Sequence, residues 1–382
     1  MRIGRHLALT LVSAALSTVA LAQDARPAAP EWQAKVDPWV LSTAAASGSA
    51  EFLVFLAEQA DLRGADLLVT KEARGRFVFE RLRATASATQ GPLLDLLQAR
   101  GVEHQPFWVA NMVKVTGDLG LVEELALRDD VAHVYANPVV HLQEPVVEEP
   151  EERAPEAIEP GVLKIRAPEV WATGYRGDNV VVAGQDTGYD WDHPALIGKY
   201  RGWNGSAADH NYNWHDAIHG CGPNSSPPCG GSCGLNSLVP CDDQSHGTHT
   251  MGTMVGDDGG SNQVGVAPDA RWIGCRNMDR GDGSPATYSE CFQWFIAPTN
   301  LAGQNPDPTK APHVINNSWG CPASEGCTDP NVLKAVVDNT RAAGIMVVAS
   351  AGNSGSACST VQDPPAMYDA SFSVGATSNN AN

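Results

Sequence analysis

The stretch Val180-Val181-Val182-Ala183-Gly184-Gln185-Asp186-Thr187-Gly188 is an apolar run that ends in a carboxylate and a glycine turn. Such a run predicts a strand covered on both faces, as in a parallel sheet. Further strands are predicted at 272–276, 313–317, 345–350 and 371–375, with helices at 247–256, 288–296 and 331–343 between them. The alternation predicts an α/β unit with a parallel sheet and helices on both faces.

Three polar side chains follow these strands or open these helices. Asp186 ends the first strand, His246 opens a predicted helix, and Asn353 lies in a Gly-Asn turn after a buried strand. Ligands of open α/β sheets bind beyond the carboxyl ends of the strands. An Asp, a His and an Asn there are the groups needed to orient a base, activate a hydroxyl and stabilise an oxyanion. Each signal alone is weak, because Asp-Thr-Gly also occurs in aspartic proteases.

Four motifs occur in a fixed order: Asp-Thr-Gly at 186–188, His-Gly-Thr-His at 246–249, Ser-Trp-Gly at 318–320 and Ala-Gly-Asn at 351–353. In this order they resemble the subtilisin-like serine proteases, or subtilases. The resemblance runs from about Val162 to the C-terminus. The sequences at 191–196 and 315–320 look closest to the bacillopeptidase F-like branch.

The resemblance implies roles for individual residues. Asp186 would orient the imidazole, His246 would act as general base and then general acid, and Asn353 would donate to the oxyanion. The resemblance also implies two substrate-binding segments. Ser318, Trp319 and Gly320 would pair with extended peptide. Ser350, Ala351 and Gly352 would form a wall of the primary specificity pocket. His193 and His249 match the family pattern too, and we assign them structural roles.

The nucleophile is where the sequence departs from the family. Its serine lies in a Gly-Thr-Ser-Met-Ala-like segment, which these 382 residues do not contain, and Ser354 is too near Asn353 to replace it. We therefore expect a C-terminally incomplete subtilisin-like sheet and an inactive fragment of a serine endopeptidase. The alternatives are a non-catalytic peptide-binding pseudoprotease and an aspartic protease, although the latter would need a second Asp-Thr-Gly motif or a dimer, and an all-β domain.

The N-terminal half divides into four predicted segments. Residues 1–22 have the charged, apolar and small-residue regions of a signal peptide, and 23–49 form a Pro/Ala-rich linker. Residues 50–142 have the order β-α-β-β-α-β, typical of a small ferredoxin-like α+β domain, and resemble the family's inhibitory propeptide. Residues 143–160, with seven Glu and one Arg, predict an exposed acidic linker. The catalytic domain would occupy 161–382.

Charge and hydropathy restrict the partners. The net charge of −19 would repel nucleic acid from most of the surface. The only long apolar run, 7–22, is too short to span a bilayer comfortably, so no membrane association is expected after signal cleavage. We expect a secreted protein, extracellular or periplasmic, whose partners are protein or peptide substrates and its own propeptide.

All nine cysteines lie at or beyond Cys221. In an exported protein they predict disulfides rather than a zinc site. Two bridges should close the insert 221–241, with three possible pairings. Cys321 and Cys327 should form another loop, and at least one of Cys275, Cys291 and Cys358 should lack a partner within the chain. The chemistry requires no cofactor, and calcium is a possible structural ion at the acidic turns 257–259 or 279–282.

Overall fold

The computed structural model describes residues 30–143, 158–221, 229–260 and 263–377. A four-stranded antiparallel sheet lies near the N-terminus and a six-stranded parallel sheet follows residue 180. The predicted α/β class and the preceding α+β unit are therefore confirmed. The predicted signal peptide and nearly all of the predicted acidic linker lie outside the described residues.

The first unit packs four helices around its sheet. Its elements are α1 (Pro38–Ser47), β1 (Ala50–Leu56), α2 (Lys71–Thr89), α3 (Gly91–Ala99), β2 (His104–Phe107), β3 (Met112–Gly117), α4 (Leu119–Ala126) and β4 (Val131–Ala136). The strand order is β2-β3-β1-β4, with β1 antiparallel to both neighbours. Residues 52–56 are buried, so this central strand is covered on both faces.

Two parts of this unit differ from the prediction. The first helix of the predicted β-α-β-β-α-β order is two helices, α2 and α3, because Pro92 in the first turn of α3 starts a new helix. The predicted linker contains α1, whose first turn is capped by the Asp37 carboxylate. Val40 and Ala44, one turn apart, are buried against the first unit. The helix was not predicted because the Pro and Ala content of the segment indicated a linker, although Val40 and Ala44 have the i, i+4 spacing of an apolar helix face.

The second unit is built on parallel strands. Its elements are β5 (Val140–His141), α5 (Pro160–Lys164), α6 (Ala167–Ala172), β6 (Val181–Asp186), β7 (Trp214–Asp216), α7 (His246–Val255), β8 (Arg271–Arg276), β9 (Met278–Asp279), β10 (Asp282–Gly283), α8 (Pro285–Ile296), β11 (Val314–Asn317), α9 (Lys334–Ala342), β12 (Met346–Ser350) and β13 (Ser371–Val374). The main sheet has the order β13-β12-β11-β6-β8-β7, and all neighbours are parallel.

Helices cover both faces of this sheet. Val182 of β6 packs with Met251 of α7, whereas the next residue, Ala183, faces the core that contains α8 and α9. This second core also includes Leu53 and Phe55 of β1. The two units therefore share one hydrophobic core, and the first unit lies against α8 and α9.

The last strand of the predicted β-α-β-β-α-β order corresponds to two strands, β4 and β5. After Asn137-Pro138 the chain leaves the first sheet, and β5 joins β10 and β9 in a three-stranded sheet of the second unit. No helix in the described part of the chain is long and apolar enough to cross a membrane.

Four disulfides lie in the second unit. They join Cys221 to Cys229, Cys233 to Cys241, Cys275 to Cys291 and Cys321 to Cys327. Cys358 is free and exposed. The predicted bridges within 221–241 and 321–327 are confirmed, with neighbouring cysteines paired in the insert. The zinc alternative for the four insert cysteines is thereby excluded.

Candidate active site

Asp186 and His246 meet at the carboxyl end of β6. The Nδ1 of His246 lies 2.7 Å from Oδ1 of Asp186. The Asp186 side chain is 1% exposed and the His246 side chain 20% exposed, so the carboxylate is enclosed while the ring still reaches the cleft. A His that donates Nδ1–H to a buried carboxylate keeps Nε2 as its basic nitrogen. The pair has the geometry of an oriented general base.

The start of α7 is held by Asp242, which our sequence analysis missed. Its carboxylate accepts hydrogen bonds from the backbone N–H of Ser245 and Thr248 at 2.8 and 2.9 Å and from the Thr187 hydroxyl at 2.8 Å. An Asp just before an apolar helix is the available sequence signal, because Asp caps helix N-termini. Asp242 thus ties α7 to the turn that follows Asp186.

Gly247 permits the close approach of α7 to this turn. A Cβ at this position would lie 2.0 Å from the carbonyl oxygen of Gly188. Since that contact is with backbone, no side-chain rearrangement could relieve it. The glycine after His246 is therefore required by packing, which explains part of the His-Gly-Thr-His pattern.

A second group of predicted residues surrounds the end of the first unit. Gln143, three residues after β5 begins, lies in a pocket lined by the segments 318–320 and 350–353. The Asn353 side-chain amide donates a hydrogen bond of 3.0 Å to the carbonyl oxygen of Gln143. All six predicted substrate-binding residues and Asn353 thus border one pocket. Ser354, the residue after Asn353, is exposed.

Trp319 contributes to this pocket differently from its neighbours. Its ring is buried, stacks on Tyr288 at 3.8 Å between centroids, and donates from Nε1 to the carbonyl oxygen of Gln185 at 3.1 Å. The Gln185 amide in turn donates to Oδ1 of Asn317 at 2.6 Å. These bonds connect the end of β6, which carries Asp186, to the end of β11 and to this pocket.

Acidic side chains in the turns 257–259 and 279–282 accept hydrogen bonds from backbone N–H groups. Asp257 and Asp258 cap their own turn by accepting from Gly259 and Gly260 at 2.9 and 2.7 Å. Asp279 accepts from the backbone of Gly230 at 2.8 Å. Among the residues that the structure describes, one set of three His, Cys, Asp or Glu side chains is close enough to share a metal ion. The set is His215, His219 and Glu290. Neither acidic turn therefore brings three such side chains together among the described residues.

The comparison with known families agrees with this geometry. The model of the subtilase family matches residues 177–382, more than half of the chain. The chain belongs to the subtilase family. It is thus a member of a family of serine peptidases whose chemistry requires no cofactor.

Two individual subtilases are similar to this chain over more than half of its length. The chain is 39% identical to bacillopeptidase F of Bacillus subtilis over 234 residues, which are 59% of this chain and 15% of that protein. It is 30% identical to subtilisin E of B. subtilis over 286 residues, 74% of this chain and 60% of that protein. The chain therefore spans less than two thirds of either relative.

A solved serine protease has a similar fold. The epidermin leader peptide processing serine protease of Staphylococcus aureus, crystallised as a serine-to-alanine mutant, superposes with a TM-score of 0.61 at 13% identity. The match covers 87% of this chain and 71% of that one. At this identity the likeness establishes the fold, which includes the unit that precedes the parallel sheet.

Proposed function

We propose that the chain is the precursor of a secreted subtilase endopeptidase whose first unit occupies and inhibits the substrate cleft. The observation that carries the proposal is the hydrogen bond from the Asn353 amide to the Gln143 carbonyl oxygen, at 3.0 Å. An oxyanion donor must lie at hydrogen-bond distance from the carbonyl of the bond to be cleaved. Gln143 would then be the residue on the acyl side of that bond.

The chemistry assigned to the chain's own side chains is proton transfer and charge stabilisation. His246 Nε2 would take the proton of a serine hydroxyl as the oxygen attacks the peptide carbon, and would return it to the leaving amine as the C–N bond breaks. Asp186 would stabilise the imidazolium that exists between these steps. Asn353 would donate to the oxyanion, and water would then hydrolyse the acyl-enzyme. The serine itself would come from the family's Gly-Thr-Ser segment.

Substrate recognition by main-chain pairing is supported by residues 140–142. Val140 and His141 pair with Gly283 and Asp282 in an antiparallel ladder, and the N–H of Leu142 donates to the carbonyl oxygen of Gly281 at 2.7 Å. A peptide that adds a strand to an exposed edge gains affinity from its backbone and specificity from alternate side chains. We therefore propose that extended protein or peptide segments are the substrates.

Inhibition by the first unit is supported by its polar contacts with α8 and α9. Oε1 of Gln293 accepts from the N–H of Trp108 and Val109 at 2.6 and 3.1 Å. The Asn339 amide donates to the Val109 carbonyl at 2.6 Å, and Asn137 Oδ1 accepts from the N–H of Ala286 at 2.8 Å. These bonds, together with the shared apolar core, would hold residues 140–143 in the cleft.

Secretion is supported by the predicted signal peptide and by the disulfides. Four disulfides are typical of proteins that fold in an oxidising compartment. Structural calcium is not included in this proposal, since neither acidic turn brings three acidic side chains together among the described residues.

The proposal predicts where maturation begins. In a form of the protein that carries the family's serine segment, we expect the first cleavage after Gln143, so that N-terminal sequencing finds Glu144 as the first residue of the mature enzyme. Leu142→Pro removes the N–H that donates to Gly281 and should slow this cleavage about 2- to 10-fold relative to Leu142→Ala, which retains it. A mature N-terminus upstream of His133 would contradict the assignment.

The 382 residues alone should not hydrolyse casein, because they lack a serine in the family's setting. The purified chain and a form with the serine segment should be assayed side by side, with and without a serine-directed phosphonate. We expect phosphonate-sensitive hydrolysis in the second form only. If the form with the serine segment is also inactive but binds peptide, the non-catalytic alternative is correct. Phosphonate-sensitive activity in the shorter chain would show that another serine, such as Ser354, is the nucleophile.

A further inference from the structure

Three side chains converge outside the cleft, between the end of β7 and α8. The Nε2 atoms of His215 and His219 lie 2.7 and 2.6 Å from the same oxygen, Oε1 of Glu290. Glu290 is buried, 8% exposed, and comes from α8, more than seventy residues further along the chain. Two imidazoles and one carboxylate are thus brought to one point from distant parts of the sequence.

From this convergence we propose that His215, His219 and Glu290 form a binding site for a divalent transition-metal ion, with Zn²⁺ the best match. Two imidazole nitrogens and a carboxylate oxygen are a ligand set that zinc prefers, with water as the fourth ligand. Calcium would need six to eight oxygen ligands. This site does not depend on the proposed peptidase activity.

Outer contacts orient the ligands as metal sites require. The Nδ1 of His219 lies 2.6 Å from Oδ1 of Asn236, and the Gln105 amide donates to the second oxygen of Glu290 at 2.7 Å. Metal-bound histidines commonly donate their other ring N–H to an oxygen, which directs the unprotonated nitrogen to the ion. With Nδ1 of His219 as the donor to Asn236, its Nε2 lone pair faces the Glu290 carboxylate.

A disulfide, a ring contact and a hydrogen bond hold the chain around the ligands. The residue after Glu290 is Cys291, bonded to Cys275 of β8. The ring of His215 stacks on Trp294 at 5.7 Å between centroids. The Asp216 carboxylate accepts from the N–H of Ile218 at 3.0 Å and so fixes the turn that carries His219. Such supports keep ligand atoms in place before a metal arrives.

Small side-chain movements would accommodate the ion. Tetrahedral zinc ligands lie about 2.1 Å from the ion and therefore roughly 3.4 Å from one another. To bind the ion, each histidine nitrogen would move about 0.7 Å further from Oε1 of Glu290. A cavity of about 490 Å³ between the two units is lined by His219, Glu290 and Gln105. It offers space for a water ligand. Because Gln105 belongs to the first unit, the site lies under the predicted propeptide.

The competing description is a metal-free hydrogen-bonded cluster. In that case the hydrogen bond to Glu290 raises the pKa of His219 to about 9, and the imidazolium and carboxylate form an ion pair. The two descriptions differ in one measurable property, the stoichiometric binding of a transition metal at neutral pH.

The experiment uses the untagged 382-residue chain after chelator treatment and dialysis. Titration with Zn²⁺ in a calorimeter should show one equivalent bound, and Co²⁺ should give the visible absorption of a tetrahedral site that Zn²⁺ abolishes. Loss of a ligand in Glu290→Gln or His219→Ala should weaken Zn²⁺ binding at least about 10- to 100-fold, the usual cost of losing even an outer contact. His249→Ala, which removes an exposed histidine, should bind like the unmodified chain.

The two variants test the site in different ways. Glu290→Gln keeps one acceptor oxygen, replaces the other with an amide donor and removes the charge of a buried side chain. His219 is 41% exposed at its side chain, so His219→Ala should leave the fold intact even if Glu290→Gln does not. Thermal unfolding of each metal-free variant verifies this. Absence of stoichiometric binding by the unmodified chain, or equal binding by His219→Ala, would establish the hydrogen-bonded cluster and overturn the metal site.

Discussion

His246→Ala should reduce turnover about 10⁶-fold, and Asp186→Ala about 10⁴-fold, in a form of the protein that carries the serine segment. These magnitudes are those of the corresponding residues in subtilisin and are carried over by family membership. The physical reason is the pair itself: Nδ1 of His246 lies 2.7 Å from a carboxylate that is 1% exposed. Without the imidazole no group accepts the serine proton. Without the carboxylate the base loses its orientation and the stabilisation of its cation.

The control for this experiment is His249→Ala, because His249 lies one turn further along α7 with an exposed side chain. We expect its turnover to stay within a few-fold of the unmodified enzyme. Initial rates on a chromogenic peptide, after removal of the first unit, measure all three variants. Near-normal hydrolysis by His246→Ala would show that the base has been misassigned.

Arg276→Met should destabilise the protein by about 3–5 kcal/mol, the usual cost of removing one partner from a buried ion cluster. The guanidinium is fully buried and lies within ion-pair distance of Asp216, Asp243 and Asp279. It also donates to the carbonyl oxygens of Gly230 and Gly234, both at 2.9 Å. Methionine fills similar volume but leaves the buried carboxylates without their cation.

The loss should depend on pH. Burial raises the pKa of both Asp216 and Asp243, and the charge of Arg276 opposes that rise. In Arg276→Met their folded-state pKa values should therefore rise further above the unfolded value of about 3.9. The folded protein then binds more protons than the unfolded chain, so stability falls as pH rises through this window. The deficit should be smaller near pH 5 than at pH 7.

Urea unfolding at both pH values measures these differences. Arg280→Met is the matched control, since the Arg280 side chain is 44% exposed and its Nε lies 3.6 Å from Oδ1 of Asp279. A surface pair of this kind contributes at most about 1 kcal/mol. Equal destabilisation by the two variants, or an Arg276→Met deficit that grows on acidification, would contradict the assignment of the cluster.

The main strands and the Asp186–His246 pair could be predicted from short stretches of sequence. β6, β8 and β12 contain apolar runs such as Val181-Val182-Ala183, and each run by itself indicates a strand of a covered sheet. β11 is half polar, with the sequence Val-Ile-Asn-Asn, and its residues alternate between buried and partly buried. Asp186 and His246 stand at the ends of such elements within motifs of a few residues. Information of this kind is local, because neighbouring residues determine the strand, the turn and the cap.

What only the tertiary structure decided was which distant residues meet. β7 is three residues long and has no apolar run of its own. It is a strand because β8 supplies its hydrogen bonds. Three such contacts join segments 16 to 75 residues apart: the Cys275–Cys291 bridge, the pairing of Arg276 with Asp216 and Asp243, and the convergence of His215 and His219 on Glu290. No local pattern encodes such meetings, because they depend on strand order and on how α8 packs against the sheet.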